Sequence, residues 1–187
     1  VRALVGEGCD NSLITTYHGF CVRVLREDIH RLLYPQSFGI LDESDQKKIL
    51  EEIYGELEIK LDRATFEKIL DRIHKIKSDE NYVMPLIQGD VQAVTVEGDD
   101  TEREVIRRYL ARQKKVFGLD FDDLIAFTFA LFERYPETRD KWAQRLYYIE
   151  VDEFQDSSRR EMRLLQILSA AHQNLFVVGD PDQNIYE

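Results

Sequence analysis

The sequence has 187 residues, enough for one ordinary domain to bury a core without disulfide or metal staples. Its hydrophobic fraction of 43% and charged fraction of 33% are those of a globular chain, and no apolar run approaches the roughly 18 residues of a bilayer span. A net charge of -11 excludes a general nucleic-acid coat, whose affinity comes from Lys and Arg on phosphates, while leaving room for a local basic groove.

In chain order, Val1 to Val5 carries neither a starting Met nor a leader pattern, and both ends are expected to be cut from something longer. Cys9 and Cys21 have no neighbouring CxxC or His pair, so neither a disulfide framework nor a zinc site is indicated, and a reducing, cytoplasmic setting is expected. Ser12 to Thr16 is a short β-prone run. Tyr17 to Leu33 then turns helical, with Cys21, Leu25, Ile29 and Leu32 spaced to share a face. Ser44 to Leu57 repeats Ile49, Leu50, Ile53, Tyr54 and Leu57 at helical spacing, with Ser44 as the expected N-cap. Thr65 precedes a second such run, Phe66, Ile69, Leu70, Ile73 and Ile76.

From Ser78 to Asp100 the period lapses and Pro85, Gly89 and Gly98 predict a loop. Thr101 to Val116 predicts a helix with Val105, Ile106, Tyr109 and Leu110 inward, stopped by Gly118. Its other face carries Arg103, Arg107, Arg108, Arg112, Lys114 and Lys115, for which a solvated surface is the plain reading. Phe121 to Phe132 is apolar all round and should lie in the core. After a short helix around Trp142, Leu146 to Val151 and Asn174 to Val178 predict strands joined through a helix, Glu161 to Ala171, of the right length for a parallel crossover. The expected fold is therefore α/β and predominantly helical. A partial parallel sheet belongs to residues 1–33 and 117–187, interrupted by an all-helical subdomain at 34–116.

Two segments carry chemistry. Ile149 to Asp156 (IEVDEFQD) is an apolar strand ending in adjacent carboxylates, and in a parallel sheet such strand ends face the ligand crevice. Nucleotide hydrolysis needs one carboxylate for Mg²⁺ and another to position or deprotonate water, so Asp152 and Glu153 are candidates for both tasks. Helix capping by the same acids is the competing explanation. Val177 to Tyr186 (VVGDPDQNIY) is a strand running into a tight turn, with Gln183 able to reach a terminal phosphate and Tyr186 able to stack. An ordinary Gly/Pro turn would look similar.

Together these segments resemble the UvrD/Rep superfamily 1 DNA helicases. VDEFQDSS is similar to that family's Walker B motif and VVGDPDQNIYE to its motif III. Thr15 to Cys21 (TTYHGFC) resembles its TFHxxC segment, and Leu119 to Ile125 (LDFDDLI) the segment at which the chain re-enters a RecA-like motor core from a helical insertion. The resemblance implies that Asp152 holds Mg²⁺ through water, Glu153 is the catalytic base, and Gln183 senses the terminal phosphate. It places Thr16, His18 and Tyr186 on the DNA side and makes Arg107, Arg108 and Arg112 candidate DNA contacts. Asp122 and Asp123 are read as acids favoured by a helix start. ATP and Mg²⁺ are the implied cofactors, and single-stranded DNA, a duplex junction and the remaining motor domains the implied partners.

The sequence contains no GxxxxGK[ST], whose backbone cradle and Lys a Walker B acid cannot replace. The expectation is an internal piece of a motor that couples ATP hydrolysis to 3′→5′ translocation, inactive alone and holding neither ATP nor Mg²⁺. A non-catalytic DNA- or partner-binding relative and a helicase–nuclease subunit stand as alternatives, and the pathway served, DNA repair among others, stays open.

Overall fold

The computed structural model of the chain describes residues 12–180 and residue 182, so Val1 to Val5, Cys9, Gln183 and Tyr186 lie outside the described residues. Short polar side chains just ahead of amphipathic runs set most helix starts, because they accept from backbone N–H groups that have no partner in the first turn. Thr16 does this for α1 (Tyr17–Asp28), accepting from Gly19 N. The chain continues through a 3₁₀ turn, Ile29–Leu32, and leaves it at Leu33 in the left-handed region, φ 57°. After β1 (Gly39–Ile40), Asp42 and Asp45 close a capping box on α2 (Glu43–Glu56), and Asp62 caps α3 (Arg63–Lys77).

The segment expected to be a loop is largely built of short helical turns: Glu80–Tyr82, α4 (Val83–Gln88) and Val91–Ala93. Asp79 and Asp90 cap the two 3₁₀ turns locally, and Tyr82, Val83, Leu86, Val94 and Val96 are buried, in a spacing that no single helical period reveals. Asp99 and Glu102 box the start of α5 (Asp100–Val116), Asp120 and Asp123 that of α6 (Phe121–Arg134), and Ser158 and Glu161 that of α8 (Arg159–Ser169). β2 (Gly118–Leu119) lies between α5 and α6, and α7 (Pro136–Arg145) carries Pro in its first turn. The second sheet is β3 (Ile149–Val151) with β4 (Leu175–Val177), both shorter than the predicted runs.

Three local expectations are corrected. Ser12 to Thr16 forms no strand: Thr16 is committed to the cap, and none of the strands among the described residues pairs with it. Ser44 lies inside α2, because Asp42 with Asp45 three residues on satisfies two orphan donors reciprocally. Gly118 does not stop α5. Phe117 takes the left-handed position, φ 50°, with its ring edge-on to Tyr34, and Gly118 enters β2 under Leu41, where a Cβ would lie 2.7 Å from the Leu41 side chain.

The architecture is the mostly helical α/β arrangement expected, with two small parallel sheets. α6 is the central post. Leu124, Ala126, Phe127, Phe129 and Leu131 are buried, and the helix packs against α1, α3, α4 and α7. Truncating a side chain such as Phe127 to Ala in such a core costs about 3–5 kcal/mol. Phe121 is the exception on this apolar helix, 56% exposed at its first position.

Candidate functional site

β3 and β4 run parallel in the register Ile149↔Leu175, Glu150↔Phe176 and Val151↔Val177, with α8 as the crossover between them. Parallel pairing puts the acid pair after β3 and the glycine turn after β4 at the same edge of the sheet. Asp152 and Glu153 are exposed there. Past the strands the chains stay stitched: Val178 N donates to Val151 O at 2.8 Å and Phe154 N to Val178 O at 2.9 Å. Asp152 Oδ1 accepts from Glu153 N at 3.0 Å. Glu153 adopts φ 52° and ψ 42°, a left-handed conformation that costs a non-glycine residue about 1–2 kcal/mol.

Gln155 bridges the two loops. Its Nε2 donates to Glu153 Oε2 at 2.6 Å, and its Oε1 accepts from Asp180 N at 3.0 Å. Gly179 permits this approach, since a Cβ there would lie 2.5 Å from Gln155 Oε1 and 3.2 Å from Gln155 N. The start of α1 reaches the same region, where Tyr17 and Ser157 share a hydrogen bond of 2.9 Å between their hydroxyls. Thr16 is exposed and occupied as the α1 cap, and His18 is half-buried, edge-on to Phe121 with 5.3 Å between ring centroids.

The basic face of α5 lies over α2 and is largely neutralised. Arg112 binds Glu52 at 2.6 Å and also Glu56, while Arg108 binds Glu104 at 2.7 Å and approaches Glu56 at 3.7 Å. Arg107 keeps a buried Nε without a hydrogen-bond partner. Cys21 offers no reactive thiol, because burial pushes it up to about 12.

Composition gave no sign of the polar cluster at the start of α6. Lys77, fully buried, donates to Asp120 at 2.5 Å, Asp123 at 2.8 Å and Gln113 at 2.9 Å, and Tyr82 donates to Asp123 at 2.5 Å. Burial opposes the Lys77 charge, but Asp123 and Asp120 outweigh it and hold its pKa above the ordinary value. Burial would likewise raise Asp120, yet Lys77 holds it low; Asp123 is pushed up by burial and then by Asp120. Asp122 and Asp123, read as acids favoured by a helix start, thus have further partners: Asp123 in this cluster, and Asp122 with His74 and, at 3.6 Å, Arg160.

Among the described residues no group of three or more His, Cys, Asp or Glu side chains could hold a metal ion. Mg²⁺ keeps several waters and needs only one or two carboxylates, and the carboxylates exposed at this strand end are Asp152 and Glu153. The sequence profile of the UvrD/REP helicase N-terminal domain matches residues 1–187. The chain belongs to the UvrD/REP helicase N-terminal domain family. It is 36% identical over 189 aligned residues to the ATP-dependent DNA helicase PcrA of Bacillus subtilis, 33% to that of Staphylococcus epidermidis and 32% to that of Staphylococcus aureus. Each alignment covers 100% of this chain and 25% of the relative, so this UvrD/REP segment spans about a quarter of their length. No helix among its described residues is long and apolar enough to cross a membrane.

Proposed function

We propose that this UvrD/REP segment is part of the first motor domain of an ATP-dependent DNA helicase, whose full-length parent couples ATP hydrolysis to 3′→5′ translocation on single-stranded DNA up to a duplex junction. The observation that carries this reading is the exposed Asp152–Glu153 pair at the carboxyl end of β3, stitched to the glycine turn after β4. Asp152 would hold Mg²⁺ through water, and bound Mg²⁺ would neutralise charge on the transferring phosphoryl group. Glu153, open to solvent, would orient a water and take its proton, and Gln183 is assigned to the terminal phosphate. Thr16, His18 and Tyr186 are assigned to the DNA side, as are Arg107, Arg108 and Arg112, the last two requiring exchange of Glu52, Glu56 and Glu104 for phosphate. Residues 34–116 are proposed as the helical insertion; β1 (Gly39–Ile40), just inside its start, pairs with β2 (Gly118–Leu119), just past its end, which supports a division near these bounds. The 187-residue chain, lacking GxxxxGK[ST], is proposed to be inactive alone and to hold neither ATP nor Mg²⁺.

The test is ATP hydrolysis by the full-length parent with and without single-stranded DNA, beside Glu153→Gln. DNA-stimulated turnover that falls by about 10² or more in the variant is expected for loss of a general base. Turnover indifferent to Glu153, or none at all, sinks the reading. Duplexes tailed at the 3′ or the 5′ end assign the direction.

A further inference from the structure

The bridge between the two loops is chemically polarised. A primary amide has a donating end and an accepting end, and in Gln155 each faces a partner of the complementary kind: Nε2 the Glu153 carboxylate, Oε1 the Asp180 amide. Rotating the amide by 180° would set two donors and two acceptors face to face, so the network fixes its orientation. Glu153 adopts a left-handed conformation that L residues disfavour, and the Gln155 amide at 2.6 Å is a side-chain contact on its carboxylate. Gly179 completes the arrangement, since any side chain there would displace the Gln155 carbonyl.

We infer that Gln155 is a positioning residue for the reaction, setting the Glu153 carboxylate by reference to the backbone of the loop after β4. Gln155 thereby links the proposed base to that loop, beside the backbone bond from Phe154 N to Val178 O. This rests on the hydrolysis reading above, which assigns Glu153 its role. The geometry separates the two halves of the bridge: Gln155→Glu keeps the acceptor for Asp180 N but replaces the donor to Glu153 by a second carboxylate, and Gln155→Met keeps the length while removing both.

The experiment is steady-state ATP hydrolysis by the full-length parent in the presence of single-stranded DNA, for wild type, Gln155→Glu, Gln155→Met, Glu153→Gln and the double variant Glu153→Gln/Gln155→Met. A misplacement of about 1 Å can cost on the order of 10²-fold in rate, so kcat for both single Gln155 variants should fall by about 10- to 10²-fold. KM for ATP should stay within about twofold, because a lost contact that acts in the transition state lowers kcat rather than binding. A residue acting through Glu153 has nothing left to position once Glu153 is changed, so the double variant should match Glu153→Gln. Gln155→Glu or Gln155→Met turning over within about twofold of wild type, or losses that multiply in the double variant, overturn the inference. Wild type that fails to hydrolyse ATP, or a harmless Glu153→Gln, removes the proposed function itself and this inference with it. A retained proposed function with normal Gln155 variants removes only the inference.

Discussion

Replacing Lys77 by Met would test the interior of this chain most sharply. The ammonium lies in a fully buried site with Asp120, Asp123 and Gln113 around it, and Gln46 adds a hydrogen bond of 2.8 Å to Asp120. Met fills much of the same volume, so the cost is electrostatic: two buried acids lose their shared cation. Breaking a buried ion pair by removing one partner costs about 3–5 kcal/mol. At about 2–4 °C per kcal/mol for a chain of this size, the melting temperature should fall by roughly 6–20 °C. Urea unfolding followed through the buried Trp142, the one tryptophan in the sequence, gives the free energy directly. The pH dependence fixes the cause. Without Lys77 both carboxyls have folded-state pKa values above their unfolded ones, so each costs stability as pH rises through that window, and the variant should be closer to wild type at pH about 5 than at pH about 8. A loss under about 1 kcal/mol, or an equal loss at both pH values, would refute the reasoning.

Three further outcomes are expected. Leu33 is 86% exposed and left-handed, so Leu33→Asn should stabilise the chain by about 0.5–1 kcal/mol in the same unfolding assay, and a loss of stability would refute this. His74 is held above its ordinary pKa by its hydrogen bond to Asp122, against burial; its contribution is therefore complete below the unfolded value and lost as pH rises through the folded one. With both groups partly exposed, His74→Gln should cost under about 1 kcal/mol at pH about 5.5 and less at pH about 8.5. On the proposed DNA role, Glu52→Gln with Glu56→Gln and Glu104→Gln should release Arg108 and Arg112 and steepen the salt dependence of single-strand binding by up to about 1.4 in log–log slope, measured by fluorescence anisotropy. An unchanged slope would count those arginines out.

Helix-forming segments were legible because their signals are local. The α6 run from Phe121 to Phe132 announces a core helix by having almost no polar face, although Phe121 itself is exposed, and the strand, helix, strand order from Ile149 to Val177 announces a parallel crossover. Ser12 to Thr16 misled because β-branched residues suit a strand, while a Thr ahead of an amphipathic run also suits a cap, and the cap prevailed. Residues 78–100 were opaque because their buried side chains sit on turns too short to show a period. In the candidate site, the acid pair was readable from its place after an apolar run. Gln155 was not, although it lies inside the same motif, since its second partner is 25 residues away. Nothing in the sequence singles out Lys77 among the basic residues of the last turn of α3; only the tertiary fold brings Asp120 and Asp123 to it.

The pairing of Gly39 with Gly118 and Ile40 with Leu119 has a practical consequence for rebuilding the molecule. The chain departs after one strand and returns along the next, about 4.8 Å away, so the whole cassette between them could be exchanged without stretching its flanks. Because the two strands run in the same direction, a hairpin cannot replace the cassette; the shortest substitute needs about a dozen residues to travel back. Any substitute must also supply a cation where Lys77 now sits. A transplant that omits it would leave Asp120 and Asp123 facing each other at the foot of the central helix, and the graft would fail at its base rather than at its seams.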